Sequence, residues 1–192
     1  MRKQGLYFAA TCIVVSALLA SMPSSHAEAD DDRSIVGTWI FTIMIDQPPV
    51  LQGFVFTDLF AINRGGTFTN TSTVSHAHSS ENPFAPPPAV VDISDGYGAW
   101  KRVGDDQFAL TLKRLLFAGA RTPTALYGSF FPGQNVGVLN VQAVATVHTG
   151  KGGDTLTGQA TFQFVNLAGE VVFHGSETFS ATRLRIKPLA TP

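Results

Sequence analysis

The connections between the strand-like segments of this chain alternate in length, and that alternation constrains the fold more than any motif does. Segments rich in Val, Ile, Thr and Phe, bounded by Gly, Asp, Asn or Pro, run over about 34–46, 53–63, 67–76, 97–103, 107–118, 135–149, 154–166 and 170–186. No stretch keeps an apolar period of 3.6 for three turns, so little helix is expected. The short connections, Arg64-Gly65-Gly66, Gly104-Asp105-Asp106 and Gly150-Lys151-Gly152-Gly153, join segments 2 to 3, 4 to 5 and 6 to 7. The long ones, Gln47 to Gln52, Ala77 to Gly96 and Gly119 to Gln134, fall at the alternate junctions, with one tight turn, Leu167-Ala168-Gly169. Successive turns of an up-and-down antiparallel sheet appear at opposite ends. The expected fold is therefore all-β: an eight-stranded antiparallel up-and-down β-barrel with a floor of tight turns and a mouth draped by loops. Pro83, Pro86, Pro87 and Pro88 favour extended polyproline backbone, which marks 77–96 as a Pro-rich mouth loop.

The first 27 residues read as a secretory signal peptide. Arg2 and Lys3 open it, Ile13 to Ala20 lies in a short apolar stretch, and Ser25-His26-Ala27 supplies small residues before a cleavage point at Glu28. An exported protein, periplasmic or secreted, with no stable membrane insertion after cleavage is the expectation. Residues 28–33 form an acidic N-terminus, 34–187 one barrel domain and 188–192 a tail. Cys12, the single cysteine, lies in the signal, so the mature chain has no thiol for a disulfide, a nucleophile or a thiolate metal site. Without the signal, 11 basic stand against 14 acidic residues, a net charge of −3, and nothing forms a basic stripe; nucleic acid is not an expected partner. Charged residues make up only 14% of the chain while Phe occurs 15 times, which calls for extensive apolar lining of a core, a pocket or a subunit interface.

Alternation within the strands assigns the faces. Ile35, Gly37, Trp39, Phe41, Ile43 and Ile45 form an unbroken inward row. The second row, Phe54, Phe56, Asp58, Phe60 and Ile62, carries one carboxylate; the fifth, Phe108, Leu110, Leu112, Arg114 and Leu116, one guanidinium; the eighth, Phe173, Gly175, Glu177, Phe179 and Ala181, one carboxylate. An isolated buried charge is costly, so these groups find partners or neutralise. Either Arg114 pairs with Asp58 or Glu177 and defines the core, or one carboxyl group, shifted by its apolar lining, acts as acid or base or holds a polar ligand group. Inward Gly37, Gly98, Gly158 and Gly175 either leave a cavity or let the barrel bend closed. Outward Val55, Leu59, Leu115 and Phe117 are apolar, which allows a homo-oligomer.

His76 and His78 share a strand face near the mouth, and with Phe56, Trp100 and Tyr127 they are candidate ligand contacts; His148 and His174 are read as outward residues near the same end. No metal or other cofactor is expected, and no nucleophile elbow, phosphate loop or dinucleotide fingerprint occurs.

Ile35-Val36-Gly37-Thr38-Trp39 resembles the Gly-x-Trp opening of lipocalins and the wider calycin superfamily. That resemblance implies a Trp at the closed end of the barrel under an Arg from the last strand, here Arg183 or Arg185. The chain departs from lipocalins proper in lacking the Thr-Asp-Tyr-type motif and room for a C-terminal helix, and so resembles a lipocalin-like bacterial barrel. In architecture alone it is also similar to the allene oxide cyclase and dirigent barrels. The expected function is binding of a small apolar or amphipathic molecule. The alternatives are an isomerase or cyclase using Asp58, Arg114 and Glu177, and a non-enzymatic envelope or interaction module.

Overall fold

A computed structural model of the chain describes residues 35–73, 91–150 and 154–185. Eight strands follow one another: β1 (Gly37–Gln47), β2 (Val55–Asn63), β3 (Thr67–Ser72), β4 (Val91–Arg102), β5 (Gln107–Ala118), β6 (Asn135–His148), β7 (Thr155–Asn166) and β8 (Val171–Arg183). Each pairs antiparallel with the next, and β1 closes on β8 from Trp39↔Arg183 to Gln47↔Ser176, giving a closed up-and-down barrel. A helical turn, Thr124–Tyr127, lies in the connection between β5 and β6. The signal, the acidic segment 28–33, the C-terminal tail and most of the Pro-rich segment lie outside the described residues.

Strand β4 begins at Val91 rather than 97, which corrects the extent assigned to the mouth loop. Val91 and Ile93 are buried there, so the apolar alternation resumes soon after the prolines end. Gly96 and Gly98 look like strand breakers but lie mid-strand. A β-bulge between Ile93 and Gly96 separates the two ends of β4.

Three inward glycines share one geometry, which decides between cavity and seat. Gly98 faces Phe68, Gly158 faces Phe179 and Gly175 faces Phe162 as direct cross-strand partners. A Cβ would lie 2.1 Å from the Phe68 ring at Gly98, 2.3 Å from the Phe179 ring at Gly158 and 2.5 Å from the Phe162 ring at Gly175. Each missing side chain is thus replaced by a neighbour's ring, which fills the space and shields the bare backbone.

The floor is built on Trp39 and Arg183. Trp39 is fully buried and its Nε1 donates to the Ile35 carbonyl at 2.8 Å. The Arg183 guanidinium lies 4.5 Å from the Trp39 ring centroid, pairs with Asp154 at 2.9 Å and donates to the Val36 carbonyl. Gly37 has φ of 140°, and a Cβ there would stand 2.9 Å from Arg183 Nη1, so the glycine of Gly-x-Trp makes room for the arginine. Arg185 is largely exposed and reaches Asp154 only at 3.6 Å; the stacked arginine is Arg183.

Candidate functional site

The interior is built in three layers. The floor cluster contains Trp39, Phe41, Phe60, Ile62, Phe68, Trp100, Phe108 and Leu156, among others. The mouth cluster contains Ile45, Val91, Leu116, Val136, Leu139, Phe162 and Phe164, with Tyr127 of the helical turn packed into it. Phe56 and Val141 touch both. Between them lie the interior polar side chains: Asp58, Asn70, Ser72, Arg114 and Glu177, each no more than 8% exposed. Asp58, Arg114 and Glu177 are the three interruptions that alternation finds in the apolar rows, and all three point inward.

Asp58, Asn70 and Arg114 form one closed set. Arg114 Nη2 donates to Asp58 Oδ2 at 2.6 Å and to Asn70 Oδ1, and Asn70 Nδ2 donates to the same Asp58 oxygen at 2.8 Å. The amide of Asn70 therefore joins cation to anion by using its acceptor on one and its donor on the other. This is the Arg114–Asp58 pairing that the charge pattern allows, with a third member that the inward rows on β2, β5 and β8 leave unread. Phe68, Asn70 and Ser72 alternate as buried residues along β3, so the same parity rule applied to β3 would have found Asn70.

Glycine again supplies the room. Gly96 faces Asn70 across one seam and Arg114 across the other. A Cβ at Gly96 would stand 3.1 Å from Arg114 Cγ, 3.1 Å from Asn70 Oδ1 and 2.5 Å from Leu112 Cδ1. Gly96 thus seats ion-pair members where Gly98, Gly158 and Gly175 seat phenylalanine. The β3–β4 ladder ends at this same level, at Asn70↔Gly96.

Glu177 stands apart. It pairs across the ladders with Ile45 on β1 and Ala160 on β7, and Ala160 pairs with Ala143 on β6. Short side chains therefore flank it on the β6–β7 side, and Ala143 is only half-buried although its parity is inward. Among the described residues Glu177 has neither hydrogen bond nor ion pair. Its carboxyl group is pushed up to about 7, first by burial and then by the charges of Asp58 and Asp46, against a smaller opposing pull from Arg114. Asp58 Oδ1 and Arg114 Nε are likewise buried without a hydrogen-bond partner among the described residues. The layer holds two carboxyl groups and one guanidinium, and that guanidinium is already engaged.

The remaining candidates separate by position. Trp100 packs in the floor, where its Nε1 donates to the Asn63 carbonyl at 3.0 Å and its ring meets Phe108 edge-on at 5.7 Å; it lies across the polar layer from the mouth. Tyr127 caps the mouth cluster, and burial pushes its phenol above the ordinary range. The loop bearing it is tied down by Asn166, whose Nδ2 donates to the Leu126 carbonyl at 3.0 Å. Phe56 is half-buried at the upper end of β2. Phe54, read as inward, is instead half exposed because it precedes the strand. His76 and His78 lie outside the described residues. His148 corrects its expected place: it pairs with Thr155 at the floor end, because β6 runs from mouth to floor, while His174 sits on the mouth half of β8. Both point outward, as parity requires. Among the described residues no group of three His, Cys, Asp or Glu is placed to hold a metal ion. No family model matches the chain, and no curated protein matches it.

Proposed function

We propose that the chain is an exported, lipocalin-like barrel that binds a small apolar or amphipathic molecule in the upper half of its interior. The observation that carries this reading is the buried polar layer: a carboxyl group without a partner, facing short alanine side chains, inside an otherwise apolar barrel. A protein that needed only a core would be served as well by apolar residues, since a buried ion pair adds little net stability over a hydrophobic replacement. Polar groups converging in an apolar enclosure are what orient a ligand in a binding site. The Gly-x-Trp opening and the Arg183–Trp39 stack support the calycin-type reading. The outer wall, where the β7 positions are Thr155, Thr157, Gln159, Thr161 and Gln163, supports a barrel in water, because a membrane barrel carries its apolar band outside. The N-terminal charge, apolar stretch and Ser-His-Ala site support export.

Both tryptophans lie at the floor, so ligand uptake is best read on methyl groups. Titrating the protein with ten-carbon amphiphiles should shift the methyl resonances of Val141, Ala143 and Ala160 and leave Leu156 at the floor in place. A panel that moves none of the upper methyls removes the reading.

A second reading, an isomerase or cyclase acting on such a molecule, draws on Glu177 alone: a carboxyl group near 7 is matched to giving and taking a proton at neutral pH. It requires that Glu177→Gln abolish turnover while uptake survives; undiminished turnover refutes it. The interaction-module reading draws on outward apolar pairs, Ile40↔Leu59 and Met44↔Val55, on β1 and β2. A strictly monomeric mass in light scattering at high concentration counts against a homo-oligomer built on that face.

A further inference from the structure

Among the described residues the polar layer holds two carboxyl groups and one guanidinium, and that imbalance has a sign. Arg114 is the single cation of the layer, and its Nη2 already serves Asp58 Oδ2 and Asn70 Oδ1. Arg183 and Arg102 belong to the floor, the first bound to Asp154 and stacked on Trp39, the second over the Phe108 ring. That leaves Asp58 Oδ1, buried with no donor, and both oxygens of Glu177, with no donor among the described residues. Among the described residues Arg114 makes no hydrogen bond or ion pair with Glu177. A ligand head placed here meets carboxyl oxygens first.

We propose that the head group this layer accepts is a protonated amine, carried on an aliphatic or aromatic body that lies among Phe56, Val141, Phe162 and Phe173. The inference rests on the binding reading above and narrows it to one ligand class. Charge neutrality argues for it: with Glu177 protonated, Asp58 and Arg114 balance, and an ammonium keeps that balance by letting Glu177 ionise, whereas a fatty-acid carboxylate would leave two anions against one cation. Hydrogen bonding argues the same way, because an ammonium offers three donors and no acceptor, and Asp58 Oδ1 and an ionised Glu177 can only accept. A neutral alcohol offers one donor and no charge. The raised Glu177 carboxyl fits this scheme as the empty state: it holds its proton without a cation beside it and gives it up when one arrives. Amine binding should therefore release a proton and strengthen as pH rises through about 7.

The test compares 1-decylamine, 1-decanol and decanoate on the full mature chain, read from the Val141 and Ala143 methyl resonances at pH 6 and pH 8. Decylamine should bind at least about tenfold more tightly than decanol at pH 8, as a charge-assisted hydrogen bond predicts, with decanoate weakest. The amine preference should shrink at pH 6. Glu177→Gln should remove the preference and leave decanol binding intact, which also shows that the variant is folded. Decanoate or decanol binding as tightly as decylamine, or an amine preference that survives Glu177→Gln, overturns the assignment while the binding reading stands. If none of the three moves either methyl, the binding reading falls and this inference with it.

Discussion

Arg183 and Arg114 both enter the barrel of this protein, and their surroundings differ. Arg183 closes the floor against an indole face, a carboxylate at 2.9 Å and a backbone carbonyl, with its side chain 18% exposed. Arg114 sits at the middle of the barrel, 4% exposed at its side chain, serving one carboxylate and one amide while a second carboxyl group nearby has no partner. The floor arginine is matched to its site, and the middle one is outnumbered. At the floor two arginines share one carboxylate, which reads as closure; in the middle two carboxyl groups face one arginine, which reads as a place for a cation to bind.

The comparison breaks most visibly if the middle arginine is removed. Arg114→Met should cost about 3–5 kcal/mol, because Asp58 is left as an uncompensated buried charge, and urea unfolding at pH 7 measures it. Because that cost comes from the stranded carboxylate, adding Asp58→Leu to Arg114→Met should recover most of it. A loss below about 1 kcal/mol in the single variant would mean that the layer is open to water.

Glu177 sharpens the comparison through pH. Its folded carboxyl group titrates near 7 against an ordinary 4.5, so the folded chain holds the proton more tightly than the unfolded chain. The contribution is fully present below about pH 4.5 and is lost as pH rises through about 7, amounting to roughly 3 kcal/mol. Relative to wild type, Glu177→Gln should therefore gain stability on going from pH 4.5 to pH 8, seen as a thermal midpoint that falls less steeply with pH. Parallel curves for the two proteins would exclude a perturbed Glu177.

The smallest effects belong to the floor. Arg183→Met should cost about 1–2 kcal/mol, since a partly exposed cation on an indole and its ion pair contribute modestly. Arg185→Ala should change stability by less than about 0.5 kcal/mol. Equal losses at Arg114 and Arg183 would erase the distinction between the middle of the barrel and its floor.

Much of this was legible before any coordinates. The strand number, the closed order and the two unlike ends follow from connection lengths, because antiparallel geometry leaves the chain no other place to put its turns. Asp58, Arg114 and Glu177 were visible as breaks in alternating rows, since a strand has a period of two and a charge on the apolar face stands out. Other features needed three dimensions. Proline marks where backbone is extended but not where a ladder resumes, which hid the start of β4 at Val91. Glycine in a strand signals a missing side chain, and only the cross-strand register reveals which neighbour fills it: Phe68, Phe162, Phe179 or, at Gly96, Arg114 with Asn70. The identity of Arg114's partner also depends on register, since Asp58 and Glu177 are equivalent in pattern. His148 ends at the floor because β6 descends from the loop before it, a direction that strand parity alone does not convey.

Among the described residues the Glu177 carboxyl group lies unpaired in the middle of an apolar barrel. The most direct measurement is the ¹³C chemical shift of the Glu177 side-chain carboxyl carbon, followed by NMR across pH 3 to 9 and assigned by its loss in Glu177→Gln. A midpoint near 7 is the predicted result. A midpoint near the ordinary 4.5 would contradict it and place Glu177 in contact with water or with a cation.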